Sequence, residues 1–317
     1  MFASLLKFRI FGVPLSVAAL ALALALAPAT QTGAAQPKQK SFRSPDEAVT
    51  ALVEAAKSHD RGALLAVLGP EAKKLGSGDP VQSKREREQF VAAYQEKHEL
   101  VKEGDTRATL MVGKNDWPLP IPLVKADDGW RFDTAAGREE LINRRIGQNE
   151  LYAIQVLLAV ADAQREYAAA DRDGDGLLEY AQQFGSSKGK KDGLYWQTKE
   201  GEPPSPLGEL AADATQRGYT GKGKGPRPYW GYYYRIIKGQ GKDAPGGAYD
   251  YVAKGSMIGG FAVLAYPAKY GSSGVMSFIV NHDGVVYEKD LGKDTLQAAG
   301  KLNKFNPGEG WKQVAKQ

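Results

Sequence analysis

The stretch from Asn149 to Tyr180 constrains the fold more than any other part of the chain, because a long amphipathic helix there runs directly into an acidic, glycine-bearing loop. Leu151, Ile154, Leu158 and Ala161, with Val156, Val160, Ala163 and Tyr167, recur at spacings of three and four. Such spacing predicts a helix with a broad apolar face pressed on a core. No Pro or Gly interrupts it before Gly174. The helix is expected to stop where Asp171, Asp173, Asp175 and the two glycines begin, since short side chains that bond their own backbone favour turns over continued helix.

That loop also carries the one candidate ion site. Alternating carboxylates at Asp171, Asp173 and Asp175 converge when a loop coils, hard oxygen ligands suit calcium, and Gly176 supplies a sharp turn at the sixth position. Leu177 would offer a backbone carbonyl, and Glu179 stands at the ninth position. The twelfth is Gln182, so the usual bidentate carboxylate is missing and a truncated, weak Ca2+ site is expected. The competing reading is a helix-terminating turn whose carboxylates are solvated or pair with Arg172 and nearby lysines.

Composition sets the compartment and excludes several chemistries. With 42% hydrophobic and 25% charged residues over 317 positions, the chain has the balance of a soluble globular protein long enough for two domains. Cysteine is absent, which excludes disulfides, thiolate zinc sites, a cysteine nucleophile and a lipoprotein attachment point. Lys7 and Arg9 precede the apolar run Phe11 to Leu26, and Ala27-Pro28-Ala29 follows as a small-residue cleavage pattern. Residues 1–29 therefore read as an export signal. The run is shorter than the ~20 residues a membrane-crossing helix needs, so no membrane span is expected after cleavage, and the location is periplasmic or secreted. Loss of Lys7 and Arg9 lowers the formal charge from +5 to +3, which singles out no partner. Residues 30–42 read as a polar linker.

A first α+β domain is expected over 43–140. Ser44 can cap a helix that starts at Pro45, with Asp46 and Glu47 in its first turn. A second helix, Arg61 to Leu68, ends at Gly69-Pro70, and a third spans Arg85 to Tyr94. Strands follow at Arg107 to Val112, at Leu119 to Lys125, where three prolines mark an edge, and at Trp130 to Asp133. Three helices and then a curled antiparallel sheet ending in G-W-R-F-D resemble the nuclear-transport-factor-2-like cone fold. Within it, His98 and Asp116 are the residues to weigh as a pocket acid or base, against the plainer reading of surface groups.

The second domain, 141–317, opens with N-R-R-I-G and the long helix. A helix with A-Q-x-x-Y near its end, then D-x-D-G-D-G, then strands at Phe261 to Pro267, Gly274 to Val280 and Asp283 to Tyr287, resembles the globular head of type IV pilins and pseudopilins. Asn281 to Gly284 supplies the tight hairpin turn. The chain departs from that family in lacking the apolar N-terminal half of the pilin helix and its processing motif. Taken together, S-P-D-E-A-V, I-P-L-V-K, G-W-R-F-D-T-A-A-G, N-R-R-I-G-x-N-E, D-R-D-G-D-G-x-L-E-Y-A, G-E-P-P-S-P-L-G, A-P-G-G-A-Y-D-Y and I-V-N-H-D-G-V-V-Y are similar to the bacterial domain of unknown function 2950 family. That resemblance implies an exported protein and brings no activity with it.

Residues 185–247 read as a Gly-, Pro- and Lys-rich insertion with Trp196 and Tyr229 to Tyr234 between its basic loops. Basic and aromatic residues together could grip an anionic polymer. Alternation through Tyr232 to Ile237 is explained better as a strand. There is no G-x-S-x-G, no H-E-x-x-H, no P-loop and no G-x-G-x-x-G between a strand and a helix. His282 beside Asp283 is accounted for by the needs of a hairpin turn. The expectation is thus an α+β protein of two domains, helices on a curved antiparallel sheet followed by a long helix on a second antiparallel sheet. It would act as a non-enzymatic envelope module with a protein partner. The alternatives are a hydrolase-like enzyme with a pocket in the first domain or at the domain junction, and an anionic-polymer binder.

Overall fold

The computed structural model describes residues 39–219 and 226–315. The expected export signal, most of the linker and the Gly- and Lys-rich residues 220–225 of the expected insertion lie outside the described residues. The fold is α+β, with antiparallel sheets and one long helix, and it divides into two compact units. Residues 39–73 and Glu86–Leu141 form the first; Lys74–Arg85 with residues 142–219 and 226–315 form the second.

In the first unit, α1 (Pro45–Lys57) begins as its sequence requires. Ser44 is extended, its Oγ accepts the Glu47 N–H, and Glu47 reaches back to the Arg43 N–H, one residue earlier than a simple capping box. α2 (Arg61–Leu68) is capped by Asp60, which takes the N–H groups of Gly62 and Ala63, and it stops at Gly69. A 3-10 turn covers Pro70–Leu75, and α3 (Pro80–Glu96) is longer than the expected Arg85 to Tyr94 because Asp79 and Pro80 start it a turn and a half sooner.

The first sheet comprises β1 (His98–Glu103), β2 (Arg107–Val112), β3 (Trp117–Pro118), β4 (Leu123–Ala126) and β5 (Gly129–Phe132), in the order β1-β2-β4-β5 with β3 also on β2. Of the three prolines expected to mark an edge, Pro118 does so, in β3, which pairs with β2 alone, and the other two do not. Pro120 and Pro122 fall in the break between β3 and β4, and β4 pairs on both sides, with β2 and β5. Lacking an N–H, Pro120 and Pro122 interrupt the chain between the strands, whereas Pro118 is tolerated on the edge. Alternation in β2 buries Ala108, Leu110 and Val112, and Leu52, Val53, Leu64 and Phe132 of the same unit are buried as well. Each fully buried Val, Leu or Phe among them is worth about 1.5–3 kcal/mol of transfer free energy.

The long helix, α4 (Thr134–Ala168), starts well before Asn149, and its residues from Ile142 onward belong to the second unit. Its buried face there is Ala153, Val156, Leu157, Val160, Ala161 and Tyr167. Leu151, expected on that face, is half exposed at 50%; the stripe it would join is held by Asn149 and Ala153 instead. After α5 (Gly208–Gln216) come β6 (Tyr232–Ile237), β7 (Gly239–Gln240), β8 (Tyr249–Asp250), β9 (Val252–Ala253), β10 (Ser256–Met257), β11 (Ala262–Pro267), β12 (Met276–Asn281) and β13 (Val286–Asp290). A short α6 (Thr295–Lys301) and β14 (Lys312–Gln313) complete the unit. The main sheet runs β14-β13-β12-β11-β6, all antiparallel. α4 packs into one core with Tyr232, Val263, Phe278 and Val280. Among the described residues, no helix is long and apolar enough to cross a membrane.

Candidate functional site

The acidic loop follows directly from the end of α4. Asp171, Asp173 and Asp175 are all exposed, and one carboxylate oxygen from each lies within 4.8 Å of the others. The coil that brings them together is closed by the backbone: Gly174 N–H donates to Asp171 Oδ1 (2.7 Å), and Gly176 N–H to Asp171 Oδ2 (3.0 Å). Both glycines sit at positive φ, +82° and +84°, which an L side chain resists. The two N–H groups favour the ionised Asp171 and hold its carboxyl below the usual range. Leu177 donates its N–H to Asp175 Oδ1 at 2.8 Å.

Arg172, which sequence alone offered as a partner for these carboxylates, is engaged elsewhere. Its Nε and Nη2 donate to the Tyr167 and Glu166 carbonyls at the end of α4, and its guanidinium lies over the Tyr167 and Trp196 rings. Glu179 reaches β10, its Oε2 accepting the Met257 N–H at 3.1 Å. Gln182 bridges the Gly255 carbonyl and the Lys238 ammonium. Three carboxylates on a preformed coil are a donor set that fits a hard divalent cation of modest affinity.

A second polar cluster was not anticipated from the sequence. Asp79 is fully buried, and its carboxylate accepts four donors: Val81 N–H and Gln82 N–H (both 3.0 Å), the Tyr219 hydroxyl (2.8 Å) and Gly231 N–H (3.1 Å). Burial raises its pKa and the four hydrogen bonds offset part of that. Gln82 joins it to Asn149 (2.7 Å), and Asn149 Nδ2 donates to the Ser273 carbonyl (2.8 Å). Beside them Trp230, 5% exposed, stacks on Tyr152 at 3.9 Å and lies under the Arg85 guanidinium at 4.5 Å. The cluster ties three distant stretches into one unit. The sequence carries one local trace of it, an Asp79-Pro80 helix start, which gives the cap but not the distant partners.

A cavity of about 450 Å³ opens beside β6, lined by Val156, Val160, Phe184, Leu207, Leu210, Pro226 and Arg227 together with Tyr229, Tyr233, Tyr234, Arg235 and Tyr266. It is mostly apolar with a few polar groups, the composition of a ligand site. The other sequence candidates are dispersed. His98 is exposed, stacks on Tyr94 at 3.8 Å and shares Nδ1 with the Tyr94 carbonyl, whereas Asp116 pairs with Lys97 at 2.6 Å. His282 and Asp283 are 3.9 Å apart in their hairpin, too long for a hydrogen bond.

Residues 39–314 match the model of the protein family of unknown function DUF2950. The chain belongs to that family. The match covers nearly every described residue of this DUF2950 protein, the acidic loop, the Asp79 cluster and the β6 cavity included. No curated protein matches it, and no solved structure does.

Proposed function

We propose that this DUF2950 chain is an exported, non-enzymatic module of the cell envelope, whose second unit contacts a protein partner and whose acidic loop holds Ca2+ as a rigid brace. The observation that carries the reading is the loop itself: three carboxylate oxygens within 4.8 Å of one another, on a coil closed by two backbone N–H groups. Oxygen ligands at this spacing suit calcium. Millimolar-range sites are typical of extracellular modules, where the ion is abundant, so weak affinity and export support each other. The charged, small-residue-terminated apolar run at the N-terminus supports export. The helix-then-sheet order of the first unit supports a cone-fold-like module, and the long helix on an antiparallel sheet a pilin-head-like one.

Immobilised mature protein, presented to solubilised envelope in calcium and in EDTA, tests the reading. A defined protein captured in calcium, and captured less in EDTA or by Asp173→Ala, is the expected result. The same background in every arm would contradict it.

A further inference from the structure

The sheet of the second unit ends on β6, and among the described residues its outer side is open at Tyr234 and Ile236, between Tyr229, which pairs with Tyr232, and Tyr251, which bonds the Lys238 carbonyl. Antiparallel pairing points alternate residues at the neighbour and the others away. The Gly231 carbonyl accepts the Ala268 N–H, so Gly231, Tyr233, Arg235 and Ile237 face β11. Tyr232 faces the other way, where it exchanges both backbone bonds with Tyr229. Tyr234 and Ile236 continue on that outer side, and among the described residues their backbone groups have no hydrogen-bond partner. Tyr233 and Arg235 from one face of the strand and Tyr234 from the other line the same cavity, which places it around the open edge.

We propose that this edge is a docking site for an extended acidic peptide segment, which adds to the sheet as a sixth strand. A row of unpaired N–H and C=O groups is a template for a further strand, and pockets beside it select the guest's alternate side chains. Tyr229, Tyr234, Phe184 and Leu207 offer an apolar wall for those side chains. The sign of the guest follows from charge. Among the described residues lining the cavity there is no carboxylate, and the guanidinium group that sets the sign is that of Arg235. Arg235 is fixed by the Ala299 and Leu302 carbonyls and by Asn303 Oδ1, so its charge is held in place without an acidic counter-ion.

The inference rests on the second unit being an interaction module, and not on the calcium loop. It is tested by fluorescence anisotropy of the mature protein with a labelled hexapeptide alternating valine and glutamate, in calcium and in EDTA. Companion peptides carry lysine for glutamate, or N-methyl groups on alternate amides in either of the two registers. The parent peptide is expected to bind in both buffers. One N-methylated register and the lysine peptide should each bind at least tenfold more weakly, and the other register should bind as the parent does. Ile236→Pro removes an outward N–H without touching the bonds to β11, so it should lose binding; because Ile236 also packs against the core, Ile236→Ala is the control, losing the same packing and melting lower but keeping the N–H and the binding. Silence from the parent peptide, equal binding of both registers, or equal binding of the lysine peptide would overturn the proposal. So would a concentration-dependent dimer that Ile236→Pro abolishes, since the occupant would then be a second copy. Silent peptides beside a retained envelope partner would sink strand docking alone; absence of both would sink the module reading too.

Discussion

Glu150 is half-buried on α4, where its Oε1 accepts the N–H groups of Val275 (2.9 Å) and Met276 (3.0 Å) at the start of β12. Burial raises its pKa, the two N–H bonds offset part of this, and Glu288 and Asp290 add repulsion. A carboxyl raised on folding binds its proton more tightly in the native state. Its contribution is therefore most favourable at low pH and declines as pH rises from the unfolded value, ~4.3, through the folded one. Asp79 has the same sign for the same reason. Asp213 has the opposite one. Burial pushes it up, but the hydrogen bonds and charge of Arg217, with the Tyr229 hydroxyl, outweigh that and lower it, so its contribution is present above ~3.9 and lost as pH falls through the folded value. Glu150→Gln keeps an acceptor for both N–H groups and removes the titration. Urea midpoints should show wild type gaining on this variant as the pH falls from neutral toward ~4.3. A gap that instead widens toward alkaline pH would contradict the assignment. Glu150→Ala leaves both donors without a partner and should cost about 1–3 kcal/mol for each one buried away from water.

At the scale of elements, the Asp79 cluster and the turn into β6 hold α4 to the sheet of the second unit. Trp230→Ala removes a ring packed between Tyr152 and Arg85, and denaturant unfolding should register a loss of about 3–5 kcal/mol. Gly231→Ala should be damaging for a different reason. Its φ is +72°, and an added Cβ would lie 2.5 Å from Asn149 Nδ2 and 2.9 Å from Ser273 Cβ. An unchanged midpoint in either variant would mean that the cluster does not hold the unit together.

The same elements show what a sequence can and cannot disclose. Ser44, Asp60 and Gly69 announce helix ends because the capping partner lies within four residues. Tyr232 to Ile237 reads as a strand through its own alternation. β1 was missed, since five of its six residues are exposed and no apolar alternation remains. Asp79 was missed as a node because Tyr219 is 140 residues away and Gly231 is 152. No local spacing encodes such a contact. Of the acidic loop, the three aspartates and two glycines were legible as a coil. The engagement of Arg172 with the Trp196 ring, and of Glu179 with β10, depended on tertiary neighbours.

For the whole molecule, the formal charge is mildly positive, +5 in full and +3 without residues 1–29. A charge so small and so dispersed should give little grip on polyanions, so mature protein should leave a heparin column near or below ~0.15 M salt. Retention to high salt would favour the anionic-polymer alternative. The most direct test of the central claim is calorimetric titration of calcium into EDTA-treated mature protein, with Asp173→Ala and Asp175→Ala alongside and melting followed in the same samples. The account predicts weak, saturable binding in wild type only, with a melting temperature that rises with calcium in wild type only. No heat in any of the three proteins, or the same heat in all of them, would contradict it and reduce the acidic run to a turn.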